Sequence, residues 1–170
     1  MKKFLQGHWL GHPLHPVLVS FPIALWVTAF VADVTSRFTA PATPLRISWF
    51  ALVLGTLMAL LAAPTGLADW WDIKRGRRAW TLGVYHLLLN LLAVTLAIAN
   101  LVWRASANLS AGVPNGPLLL SAATTLVVLI AMYLGGRMVY QHGTSVARMS
   151  KRSWRRAAEA GGARLAPEKE

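Results

Sequence analysis

Four long apolar runs alternate with short polar segments along the chain. Each run can cross a hydrocarbon core of about 30 Å as a helix rising 1.5 Å per residue. The pattern predicts spans over residues 16–36, 47–67, 81–102 and 118–140. Together they make residues 1–146 one all-α, integral membrane four-helix bundle. Residues 147–170 follow as a basic, then flexible, tail. Pro16 suits the first turn of the first span, where its missing N–H costs nothing. Pro22 lies inside that span and takes a donor from the carbonyl of Leu18, so a bend near Ser20 is expected. In the second span Gly55, Ala59 and Ala63 repeat every four residues, a stripe that permits close helix contact. The chain is expected to leave the membrane through Gly66.

Composition agrees with the pattern: 55% of the 170 residues are hydrophobic and only 14% are charged. The start, MKKFLQGHW, has a basic pair but no small-residue cleavage site after it, and reads as the lead-in to an uncleaved first span. Cysteine is absent. Disulfides, thiolate metal sites and covalent haem attachment are therefore excluded by the sequence.

The formal net charge is +11, and its placement decides its meaning. Of the 17 Lys and Arg residues, only Arg37, Arg46 and Arg104 fall on one side of the expected bundle. The rest lie at the N-terminus, in the 68–80 segment, near the end of the fourth span and in the tail. By the positive-inside rule both termini face the cytoplasm. Trp9, Trp70, Trp71 and Trp80 on the basic side, with Trp49 and Trp103 on the other, fit the two interfaces. The basic clusters read as topology signals and contacts to anionic headgroups, with no nucleic-acid partner.

Up-and-down spans bring the start of the first, the end of the second, the start of the third and the end of the fourth to one side. That side holds all five histidines, His8, His12, His15, His86 and His142, together with Asp69, Asp72 and Tyr140. His86 lies within a span, with Asn90 one turn deeper on the same face, and an ionisable group there is a functional candidate. His15 precedes Pro16, which turns its backbone away from helix and sets the ring at the bundle mouth. The candidate cofactor ligands are thus His12, His15, His86 and His142. Asp69, Asn90, Tyr140 and Arg137 are the candidates for orienting them or handling protons. At the opposite side Asp33 is expected to pair with Arg37 one turn on, and no polar cluster of similar richness is expected there.

The segments HPLHPVLVSFPIALW, APTGLADWWDI, HLLLNLLA and YLGGRMVYQHGTSV, in that order, resemble the bacterial membrane proteins grouped as domain of unknown function 2231. The resemblance runs from about Gly11 to Val146. It implies a four-helix domain of the bacterial inner membrane, with marked positions at His12, His15, Pro22, Gly66, Asp69, His86, Asn90, Gly135, Gly136 and His142. Some members occur beside or fused to redox proteins, which implies electron-transfer work. Many carry histidine where this chain has Ser20, so no ligand is expected at that depth here.

Three functions fit the residues. The first is a redox-associated membrane domain that holds non-covalent haem b or a transition metal through clustered histidines, acting with a membrane redox partner or as a homodimer. The second is an accessory membrane subunit without a cofactor. The third is a small proton-linked transporter. No HExxH, GxSxG or phosphate-binding glycine loop supports an enzyme.

Overall fold

The computed structural model describes residues 1–144 and 151–164. Its described residues form α1 (Lys2–Leu5), a 3-10 turn (His8–Leu10), α2 (Leu14–Leu18), α3 (Ser20–Thr35), α4 (Ala42–Trp70), α5 (Arg78–Ser106), α6 (Asn115–His142) and α7 (Lys151–Ala160). Four helical stretches are long and apolar enough to cross a membrane: Leu14–Thr35, Ala42–Trp70, Arg78–Ser106 and Asn115–His142. The first is interrupted at Val19, between α2 and α3, where Pro22 weakens the local ladder. The tail expected to begin at 147 contains α7, whereas residues 145–150 and 165–170, the end of the stretch expected to be flexible, lie outside the described residues.

The bundle is built inside out relative to a soluble one. Its centre is Trp26, packed with Ala29, Ala51, Leu52, Ala93, Ala97 and Val128. Leu91, Phe50, Leu119 and Leu126 face outward instead. Small residues at the centre let backbones approach, as expected where lipid competes equally well for large apolar side chains. Gly55 is the clearest case: a Cβ there would come within 2.9 Å of the Trp26 ring. Ala59 also packs on this core, while Ala63 is exposed, so the small-residue stripe is used only over its first two members. α5 lies along α6 and α3 along α4, with α3–α6 and α4–α5 contacts closing the ring.

Helix α4 runs through Pro64 and Gly66 to Trp70, so the chain stays helical past Gly66. The lead-in is also more structured than its polar character suggested. Gly7, at φ 79°, turns the chain so tightly that a Cβ would meet the His12 carbonyl. Lys2 and Gln6 then reach Asp72 after α4, and Gln6 also donates to the Ala68 carbonyl at 3.3 Å. These bonds clasp α1 onto the α4–α5 turn.

Candidate functional site

The expected convergence of polar groups resolves into two levels. At the inner level, His15 of α2 and His86 of α5 stand with ring centres 6.3 Å apart and planes at 86°. His15 Nδ1 lies 3.2 Å from both the Ala62 carbonyl and Thr65 Oγ1 of α4. The Thr65 hydroxyl itself donates to that carbonyl at 2.6 Å, which leaves its oxygen able to accept. His86 Nδ1 lies 2.8 Å from the Ala131 carbonyl of α6. A carbonyl oxygen only accepts, so each Nδ1 bears the proton and each neutral ring keeps its lone pair on Nε2. Neither Nε2 receives a hydrogen bond from a described residue.

Two glycines make this arrangement possible. A Cβ on Gly66 would come within 2.5 Å of the His15 ring, and one on Gly135 within 3.1 Å of the His86 ring. Each ring therefore lies against bare helix backbone. Gly136, by contrast, borders open space. Asn90 donates to the carbonyl of His86 at 2.7 Å, so it supports the helix turn carrying His86 rather than the ring itself. Ser20 bonds back to the Pro16 carbonyl at 3.2 Å and is exposed.

The outer level is a cavity of about 1030 Å³ at the bundle mouth, lined by His8, His12, His142 and Asp69 among others. His142 thus joins His12, not the inner pair. Gly135 sits beside His86, and His142 lies two turns farther along α6, about 10 Å at 1.5 Å per residue. Tyr140 is 91% exposed and Trp71 69%, so neither lines a site between the helices. Arg137 donates to Gln141 at 3.0 Å along its own helix and is not part of the cavity wall. Among the described residues no group of three or more His, Asp or Glu side chains is placed to hold a metal ion.

At the opposite end the expected Asp33–Arg37 pair does not form. Asp33 is fully buried and pairs with Arg104 of α5, which is equally enclosed. Ser48 of α4 donates to one oxygen of the carboxylate and Ser121 of α6 to the other. Arg104 also donates to Ser48 (2.9 Å), Asn100 (2.8 Å) and Ser121 (3.1 Å), and Asn100 donates to Ser121 (2.8 Å). Arg37 instead reaches the Val113 carbonyl and Asn115, fixing the α5–α6 loop over this end. The signal lay in the sequence as polar residues at the same depth of all four spans, with Asn100 and Arg104 at i and i+4.

A bundle of four apolar helices with a polar knot at one end and an open histidine-bearing mouth at the other is a membrane protein. The chain matches, over residues 11–148, the family model described as predicted membrane protein DUF2231, and it belongs to that family. No curated protein and no solved structure matches it.

Proposed function

We propose that the protein is a redox-associated membrane domain in which His15 and His86 would hold the iron of a non-covalent haem. The single observation that carries this reading is the inner pair itself. Both imidazoles are locked through Nδ1 to helix carbonyls and leave Nε2 lone pairs without a donor among the described residues. That is the arrangement by which a protein fixes the tautomer and aim of a histidine ligand. Two imidazoles on either side of one metal have ring centres roughly 6 Å apart, because each metal–nitrogen bond is about 2 Å and the ring centre lies about 1 Å behind it. The 6.3 Å separation suits that. A haem would need only these two protein ligands. The group would supply one-electron transfer, while burial and the Nδ1 bonds set the ligand field. His12 and His142 belong to the entrance in this reading.

The test is the absorption spectrum of the full chain, purified in mild detergent after expression with haem supplied. A Soret band with sharp α and β bands on reduction is expected, with iron close to equimolar. A colourless protein free of iron, zinc and copper would instead assign both imidazoles to interhelical hydrogen bonding in an accessory subunit, α2 to α4 and α5 to α6.

The same reading places the mouth on the cytoplasmic side of a bacterial inner membrane, because Lys and Arg concentrate there. Cysteines introduced at Thr43 and Asn108 should react with a membrane-impermeant thiol reagent in intact cells, and one at Arg77 should not. The opposite labelling would invert the orientation.

A further inference from the structure

We propose that the mouth cavity is a binding site for a phosphate-type anion, independent of any cofactor on the inner histidine pair. A topology signal needs only cations on one side of a membrane, and a flat or convex surface serves for that. Here the cations border a concavity. Lys74, Arg77 and Arg78 line the same cavity of about 1030 Å³ as His8, His12 and His142. The chain is shaped to put them there. Arg77 N–H bonds the Lys74 carbonyl at 3.3 Å, closing a four-residue turn, and Gly76 takes φ 81° within it. That left-handed conformation is one that glycine adopts without strain. The turn brings Lys74 beside Arg77, and Arg78 follows as the first residue of α5.

The local charge is not spent within the described structure. The side chains of Lys74, Arg77 and Arg78 make no hydrogen bond or ion pair with a described residue. Two carboxylates share the wall. Asp72 is taken up by Lys2 and Gln6, and Asp69 is likewise engaged. His142 also lines the cavity and its imidazole adds a ring N–H donor, whereas His12 turns Nδ1 to the Pro13 carbonyl at 3.1 Å; the uncapped start of α5 adds backbone N–H groups. Guanidinium pairs with a phosphate oxygen pair through two parallel N–H bonds, and lysine adds a point charge. Three oxygens of one phosphoryl group could be met at once by such a wall. The cavity lies where α4 ends and α5 begins, at the headgroup level of the expected membrane. The phosphoryl group therefore belongs either to an anionic phospholipid or to a soluble phosphorylated molecule.

The experiment uses the full chain, its K74Q/R77Q/R78Q variant, and R152Q/R155Q/R156Q as an equal loss of charge outside the cavity wall. In one arm, inorganic phosphate binding is measured by calorimetry on protein in phosphatidylcholine nanodiscs. In the other, native mass spectrometry counts phosphatidylglycerol retained from nanodiscs of phosphatidylcholine and phosphatidylglycerol. The cavity variant should lose about tenfold or more in affinity in at least one arm, as expected for the loss of charge-assisted contacts. The α7 variant should stay within about twofold of the parent, since it loses only screened, long-range attraction. Loss in the lipid arm alone identifies a headgroup, and loss in the phosphate arm alone a soluble ligand. R77K/R78K, which keeps the charge but not the fork, should lie between parent and cavity variant. No binding in either arm, or equal losses in the two triple variants, would overturn the site. Unchanged far-UV circular dichroism of the exposed-residue variants guards against unfolding as the cause.

Discussion

The two ends of this bundle both gather polar side chains and use them in opposite ways. At the knot, Asp33, Ser48, Asn100, Arg104 and Ser121 close on one another, so that donors meet acceptors and the α5–α6 loop covers them. At the mouth, His15 and His86 satisfy one ring nitrogen each and leave the other unpaired, beneath an open cationic cavity. Burying an ion pair is expensive, and such a pair is kept where it fixes one arrangement of its elements against others. The knot ties α3, α4, α5 and α6 in a single register. The Nε2 atoms of His15 and His86 tie no helices together in this way. One end specifies the fold and the other is free to work.

The largest effect should come from opening the knot. Arg104→Met leaves the Asp33 carboxylate buried without its cation and should cost about 3–5 kcal/mol. Unfolding in detergent, followed by circular dichroism, measures it. Asp33→Leu combined with Arg104→Met should recover most of that loss, because an apolar pair of similar size needs no partner. If the double variant is as unstable as the single one, the knot is not a self-contained pair and the contrast between the ends weakens.

The glycines beside the rings come next. Helix propensity alone favours alanine over glycine by about 1 kcal/mol. At Gly66 the added methyl would stand 2.5 Å from His15, whose ring cannot retreat without giving up Ala62 and Thr65. Gly66→Ala should therefore be destabilising, by about 1–3 kcal/mol. At Gly135 the contact is 3.1 Å and a few tenths of an ångström of give suffice, so Gly135→Ala should be near neutral. Thermal unfolding of the two variants side by side decides it. Equal effects would mean that the rings are not seated as described.

The smallest effect belongs to the α1 clasp. Hydrogen bonds from Lys2 and then Gln6 hold the Asp72 carboxyl below its ordinary pKa. A carboxylate with a lowered folded pKa contributes above its unfolded value and loses that contribution as pH falls through the folded one. The clasp should therefore persist at neutral pH and release only below the usual carboxylate range. Because the pair is solvent-exposed, Asp72→Asn should cost under about 1 kcal/mol. Amide exchange in residues 2–6 should rise in the variant at neutral pH, and in the parent only on acidification. Identical exchange in both would show that Asp72 does not hold α1.

Much of the fold was legible because lipid imposes long apolar runs that nothing else produces. The break near Ser20 followed from Pro22 by the same kind of local logic. What the sequence concealed was lateral pairing. Arg37, one turn from Asp33, was the obvious partner, but it points at the loop, and the true partner lies 71 residues away. Linear spacing gives depth in a span and says little about which face meets which helix. Depth also misplaced His142. Membership of one side placed it with His86, whereas two turns of α6 separate it from that level. Gly66 shows a role that spacing did not reveal: it is the floor on which His15 rests.

The central claim is that a haem would be held by the inner pair and not by the histidines of the mouth. Reduced-minus-oxidised absorption spectra of His15→Ala, His86→Ala, His12→Ala and His142→Ala, purified identically, test it most directly. The account predicts that His15→Ala and His86→Ala each abolish the low-spin α band, while His12→Ala and His142→Ala retain it at parental intensity. An α band that survives His86→Ala and disappears with His142→Ala would contradict it.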